Sequence, residues 1–209
     1  MITKEKSELI GFLCAEGCFY EYTSKDKEFQ SKRRKSYLHI RKVRIIQFNN
    51  NNPKLQRRFL LLLKKIYDYP LHFYGKPNSL RITIKRKDVV DDLVTYTKYN
   101  SFVWKIPKEI INGPKKVKIA FLRGLFDGDG TFNVVKKYGV RARIYSVNFK
   151  ELRKINKILI SFGIKNKVYG PYFSTKSKTG IYELDMNGNY AKLFLKLIKP
   201  NKVNNAGVA

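Results

Sequence analysis

Cysteine occurs only twice in 209 residues, at Cys14 and Cys18, and histidine only twice, at His39 and His72. A structural zinc site needs four such ligands at motif spacing, and these four do not supply it. Nor do two cysteines make a disulfide framework; both read as small core residues near the end of a first helix. No apolar run reaches the ~18 residues of a membrane-spanning helix. The opening MITKEKSELIG has no signal-peptide core, and its acids argue against a transit peptide. The expectation is an intracellular protein, in the cytoplasm of a prokaryote or an organelle matrix, with no membrane partner. Acids are scarce as well: 16 Asp and Glu stand against 44 Lys and Arg, a net charge of +28. Solubility asks for roughly 2–8 in a small domain, so the excess calls for a polyanion. The basic residues are spread over the chain and not gathered on one amphipathic helix, which favours nucleic acid over an anionic membrane.

Apolar residues, by contrast, are plentiful. Hydrophobic residues make up 43% and aromatics 14%, a composition for a packed core and not a disordered tail. The length suits one large domain or two small ones, and an internal repeat divides the chain into similar halves. Residues 8–20 read ELIGFLCAEGCFY and residues 121–133 read FLRGLFDGDGTFN. Gly11 and Gly124, Gly17 and Gly130, Phe19 and Phe132, and Glu16 and Asp129 all stand 113 positions apart. A chance Asp-Gly turn would not recur with its glycines, its acid and its aromatic in register. The acids are also poorly placed for stability, because each closes an apolar helix and meets the negative end of its dipole. A local rule broken twice marks a functional position.

Periodicity gives the order of elements. A helix over 4–17 leads to a strand at 18–24. The charged stretch 24–36 reads as a flexible hairpin tip, and 37–48 as a long strand whose alternation slips near Lys42, as at a bulge. A helix follows over 55–67, started by Asn and Pro, then a hairpin over 71–86 that turns at GKPN, and a helix over 88–97. The second half repeats this order: helix 115–129, strands 131–137 and 140–147, helix 150–161, a hairpin through 174–180 and helix 189–198. The fold expected is α+β, with two pseudo-symmetric αββαββα repeats over 1–98 and 115–209, joined by a linker over 99–114. The last residues, NNAGVA, are expected to fray.

Gly11 and Ala15 share one helix face, as do Gly124 and Gly128. Small residues at that spacing let two helix backbones approach closely. If these faces meet, Glu16 and Asp129 lie side by side where both helices end and their last carbonyls converge. So concentrated a negative charge needs a cation, and a few hard oxygen ligands beside water suit Mg²⁺. Paired metals there would clamp the attacking and leaving oxygens of a phosphodiester displacement.

LIGFLCAEG (9–17) and LRGLFDGDG (122–130) resemble the two copies of the signature of LAGLIDADG homing endonucleases in their single-chain, two-repeat form. The resemblance covers nearly the whole chain. It implies a saddle of antiparallel sheets that binds double-stranded DNA, a monomer, and an intron-encoded or free-standing mobile gene. It implies a long asymmetric target cut by metal-dependent hydrolysis, with two or three divalent cations per active centre. Glu16 and Asp129 match the signature's eighth position, which supplies the metal-binding acids, and the carbonyls of Ala15 and Gly128 would assist. Cys14 stands where the second copy has Asp127, a position that is chiefly structural in the family. The family also places polar residues around the scissile phosphates. Asn50 (or Gln47) and Asn148 fit that role, and helix capping accounts for either asparagine equally well. A lysine commonly follows each repeat's last helix; Lys202 or Lys199 fits in the second half and Lys98 in the first. Two alternatives of the same fold remain: a maturase that binds intron RNA, and a non-catalytic DNA-binding regulator.

On the saddle, alternation selects Arg81, Thr83 and Lys85 for the DNA-facing side of the first half, and the resemblance adds Tyr20, Tyr22, Arg41 and Gln47. In the second half it selects Asn133, Lys137, Arg141, Arg143 and Tyr145, with Phe132, Val134, Ala142 and Ile144 on the core side. Any one of the basic residues could equally hold a phosphate without reading sequence. Glu183, Asp185 and Asn187 occupy the polar side of the last strand, and the acids are expected to pair with a neighbouring lysine.

Overall fold

Thr3 opens the first helix: its hydroxyl accepts a hydrogen bond from the Lys6 backbone N–H at 3.2 Å and caps α1, Lys4–Glu16. Every residue of α1 from Ser7 to Cys14 is buried, so this is a core helix and not an amphipathic surface one. The computed structural model describes residues 1–30, 35–70, 81–135, 139–174 and 177–202. After α1 come β1 (Gly17–Gln30), β2 (Lys35–Asn49), α2 (Pro53–Tyr67), β3 (Arg81–Ile84) and α3 (Lys87–Tyr96). A short α4 (Lys108–Ile111) precedes α5 (Lys115–Asp129), β4 (Gly130–Val135), β5 (Gly139–Ser146), α6 (Phe149–Ser161), β6 (Lys167–Ser174), β7 (Ser177–Asn187) and α7 (Gly188–Ile198). Two antiparallel sheets result, in the order β1-β2-β3 and β4-β5-β7-β6. The described elements run α-β-β-α-β-α in the first half and α-β-β-α-β-β-α in the second, each with an antiparallel sheet. The first strand of the hairpin expected over 71–86 and the tail NNAGVA lie outside the described residues. Among the described residues no helix is long and apolar enough to cross a membrane.

Two local expectations need correction. The stretch 24–36 is not a loop at its ends, because β1 continues to Gln30 and pairs there with Lys35. Nor is there a bulge near Lys42: β1 and β2 stay in one unbroken register from Gly17–Phe48 to Gln30–Lys35. The alternation slips because the ribbon leaves the core. Ile45 and Ile46 are both buried, whereas Leu38 and Ile40 farther out are 55% and 62% exposed.

The core runs through both halves without a break. Phe48 stacks on Phe59 with centroids 4.1 Å apart, and Phe12 meets Phe48 edge-on at 5.7 Å. In the second half Phe126 packs edge-on against Phe194 at 5.2 Å. The connection between the repeats belongs to this core, with Tyr99, Trp104, Ile106 and Ile110 all buried. Its backbone is tied to both sides. Tyr99 O accepts from Phe19 N (2.9 Å), and Ile106 N donates to the buried Glu151 carboxylate (2.9 Å).

Candidate active centre and nucleic-acid face

The two repeats meet where α1 crosses α5. A Cβ added at Gly11 would stand 2.9 Å from the Leu125 nitrogen and closer still to the Phe121 carbonyl oxygen. One at Gly124 would stand 2.8 Å from the Phe12 nitrogen and closer still to the Glu8 carbonyl oxygen. Backbone atoms at those separations cannot yield, so only glycine lets the helices lie this close. At the last turn Gly128 rests on the Ala15 methyl, and a Cβ there would be 3.0 Å from Glu16 Cγ. Each helix then passes straight into the first strand of its sheet, with Glu16 and Asp129 as the last helical residues.

The two acids act on one another. Burial raises the pKa of Glu16, and a hydrogen bond from Asn50 Nδ2 (3.2 Å) and the nearby Lys202 work against that rise. Asp129 is pushed up to about 8, first by burial and then by the Glu16 charge, again with Lys202 opposing. Lys202 is lowered to about 8 by burial, against the pull of Asp127, Asp129 and Glu16. Burial and the Glu16 charge thus disfavour ionisation of Asp129, beside an ammonium that burial also disfavours. Among the described residues no group of three or more His, Cys, Asp or Glu surrounds a metal position. The oxygen donors gathered here are two carboxylates with backbone carbonyls at two helix ends. They fit a hard cation that keeps several waters and takes substrate oxygens.

Asp127, which sits against the dipole in the sequence, has a structural task. Its buried carboxylate accepts from Asn201 N (3.1 Å), Asn201 Nδ2 (2.6 Å) and Lys202 N (3.2 Å). The chain after α7 is clasped to the end of α5, and Lys202 Nζ reaches the carbonyls of Asp127 (3.2 Å) and Gly130. The Asp127 carbonyl lies in the last turn of α5, where the ammonium serves as a cap, and the Gly130 carbonyl opens β4. Sequence reasoning missed this clasp, because Asn201 lies 74 residues from its partner. Of the three lysines proposed from the resemblance, Lys202 is the one beside the acids. Lys199 is the exposed left-handed cap of α7. Lys98 is exposed, and the first repeat has Cys14 where Asp127 stands. A thiol accepts weakly, and no equivalent clasp forms there among the described residues.

Asn50 and Asn148 part ways. Asn50 reaches Glu16, whereas Asn148 is the N-cap of α6. Its Oδ1 accepts from Glu151 N (3.4 Å) and its Nδ2 donates to Trp104 O (2.7 Å). Asn148 thus caps the helix start and ties it to the inter-repeat strap, as the capping alternative expects.

Residues 116–199 match the LAGLIDADG-like domain family. That match spans the second repeat. Across nearly its whole length the chain has the fold of I-DmoI, a homing endonuclease solved with DNA and manganese. The TM-score is 0.64 at 14% identity, over 96% of this chain and 98% of that one. It also superposes on full-length DUF199/WhiA from Thermatoga maritima, with a TM-score of 0.60 at 20% identity, covering 99% of this chain and 58% of that one. A DNA polymerase of Methanocaldococcus jannaschii is 28% identical over 177 residues, 83% of this chain but 10% of the polymerase. The chain spans about a tenth of the length of that relative. The likeness to I-DmoI covers both repeats and is one of fold.

On the first sheet, Tyr20, Tyr22, Arg41, Gln47, Arg81 and Thr83 all fall on one face by register: Cys18 pairs with Gln47, which pairs with Thr83, and Asn49 with Arg81. Lys85 is exposed just beyond the end of β3. On the second sheet, Asn133, Arg141, Arg143 and Tyr145 share a face with Glu183, Asp185 and Asn187. Lys137 lies outside the described residues. Ala142 and Ile144 are buried on the other side, but Val134 is 70% exposed, because β4 outruns the core as β1 does. The acids of β7 pair with arginines and not with a lysine. Arg141 donates to Asp185 (2.7 Å) and Glu183 (2.9 Å), and Arg143 lies 3.9 Å from Glu183.

Proposed function

We propose that this chain is a site-specific DNA endonuclease that cuts a long, asymmetric duplex by metal-dependent phosphodiester hydrolysis, acting as a monomer. The observation that carries this reading is the pair of acids, one from each repeat, that closes two helices crossing on glycine. A DNA-binding regulator has no need for two half-buried carboxylates that repel each other, and it would not need Lys202 clasped beside them. Glu16 and Asp129, with the carbonyls of Ala15 and Gly128, are the residues that would hold divalent cations, two or three of them and magnesium by preference. Bound there, the cations would polarise the scissile phosphate and activate the attacking water. Asn50 orients the Glu16 carboxylate. Lys202, held by the Asp127 clasp, places a positive charge where a phosphate would gain negative charge during displacement. The exposed and half-exposed polar faces of the two sheets are the duplex-binding surface, and their different side chains call for an asymmetric site. The setting we favour is a mobile, intron-encoded or free-standing gene. A segment similar to most of this chain forms a tenth of a DNA polymerase, as expected of a module that moves between genes.

The test is cleavage of the uninterrupted allele of the gene that carries this reading frame, in Mg²⁺ and then in Ca²⁺. One double-strand break in Mg²⁺, lost in Asp129→Asn while duplex binding is retained, is the expected result. Normal cutting by that variant would sink the metal site, and an uncut allele with tight binding to the intron transcript would replace the endonuclease with a maturase.

A further inference from the structure

Two of the chain's 16 acids stand in the middle of a face otherwise suited to a polyanion. Glu183 and Asp185 are 8% and 4% exposed, on the same side of the second sheet as Arg141 and Arg143. Carboxylates there oppose phosphate binding, so their presence needs a gain that charge alone does not give. The corresponding places of the first sheet show the contrast. Gly17 faces Phe48 as Gly130 faces Ile144, so Ile45 corresponds to Arg141, and Gln47 to Arg143. By the same register Arg81 and Thr83 correspond to Glu183 and Asp185. The first sheet carries no acid at these places, and the second couples each acid to an arginine.

The coupling is specific in geometry. Arg141 uses Nε toward Asp185 Oδ1 (2.7 Å) and Nη2 toward Glu183 Oε1 (2.9 Å). Asp185 is itself held, by Asn187 Nδ2 at 2.7 Å on its second oxygen. These contacts fix the plane of a guanidinium whose side chain is still a third exposed, and Nη1 is the donor group the two carboxylates leave unused. A guanidinium already fixed in place loses less freedom on binding a planar acceptor pair. In the major groove the base edge that offers two acceptors side by side is guanine, through O6 and N7, and arginine is its commonest reader.

We propose that Arg141 reads guanine in the half-site beneath the second sheet, and that Glu183 and Asp185 are positioning residues that hold its guanidinium for that contact. The proposal rests on the duplex-binding reading above. The first half-site is met by Gln47, Arg81 and Thr83 with no carboxylate among them, and there Arg81 Nε donates to the Asn49 amide oxygen (3.2 Å). Replacing an acid with its amide removes a negative charge from the face, so non-specific binding should not suffer while discrimination falls. A network that served only folding would give the opposite pattern, a lower melting temperature with base preference intact.

The experiment is selection from a duplex library randomised across both half-sites, bound by the full chain in Ca²⁺, with melting curves for every variant. The wild type is expected to prefer guanine at one position of one half-site by about tenfold to a hundredfold. Glu183→Gln with Asp185→Asn should reduce that to a few-fold, with undiminished binding to unrelated duplex. Arg141→Lys keeps the charge but not the two-pronged donor, and should erase the preference while retaining affinity. An unmoved guanine preference in the amide variant would overturn the positioning role. A wild-type site without guanine in that half would overturn the assignment of Arg141 and leave the endonuclease standing. Selection of no defined site would overturn both.

Discussion

Asp127 shows how a residue that looks wrong in sequence can be right in space. Its carboxylate is buried at the negative end of α5, which burial and dipole both disfavour, and its pKa is raised by burial in spite of Asn201 and Lys202. Three N–H donors from the chain after α7 offset that cost. The return is position: the clasp sets Lys202 against the carbonyls of Asp127 and Gly130 and beside Glu16 and Asp129. Asp127→Ala is therefore expected to reduce cleavage nearly as far as Lys202→Met, although Asp127 itself faces no substrate. Lys98→Met should have little effect, since that lysine is exposed and no clasp is found in its repeat among the described residues. Single-turnover rates on one nicked and one intact target, alongside binding measured separately, would check this. Equal losses in the Lys98 and Lys202 variants would mean that the two halves contribute alike and that the clasp has no catalytic consequence.

At the scale of elements, what could be read in the sequence followed from repetition and from burial. The two glycine-bearing helices were legible because their small residues, acids and aromatics recur at one offset, and such a pattern survives without knowledge of partners. The amphipathic α2 and α6 announced themselves by period, and Asn52 and Pro53 by capping chemistry. The Asn148 cap was open to sequence reasoning as a local alternative, but the clasp, the Asn148–Trp104 hydrogen bond and the arginine–carboxylate pairs were not legible, because each joins residues distant in sequence that only packing brings together. The β1–β2 ribbon was half legible for a simpler reason. Where both faces meet solvent, nothing selects apolar residues for one side, so periodicity fades while pairing continues. The same geometry sets an expectation for stability. Leu38→Thr and Ile40→Thr, far out on the ribbon, should each change the unfolding free energy by no more than about 0.5 kcal/mol. Ile46→Ala, in the buried part of the same strand, should cost about 2–5 kcal/mol. Urea denaturation of the variants measures both, and comparable losses at Ile40 and Ile46 would show that the ribbon's outer half packs against something in solution.

The whole molecule combines a core shared by both repeats with charge spread over its surface. α1 and α5 are buried nearly all round and meet on glycine, so neither repeat presents a finished surface without the other, and the acids are paired only in the joined chain. The net charge of +28 is carried outside that core, where each duplex phosphate neutralised releases condensed counterions. An interface that follows the backbone across two sheets, with about 6–10 phosphate contacts, should lose on the order of 10³–10⁵ in affinity between 50 and 200 mM salt. The Glu183 and Asp185 amide variant should show a slope at least as steep, since removing acids frees arginines for phosphates, whereas Arg81→Ala should make it shallower by about one contact if Arg81 holds a phosphate. A logarithmic plot of affinity against salt for the three proteins separates charge from recognition. Parallel lines displaced only at the selected site would assign Arg81 to reading bases, and a nearly flat wild-type line would mean that the basic surface does not track a duplex at all.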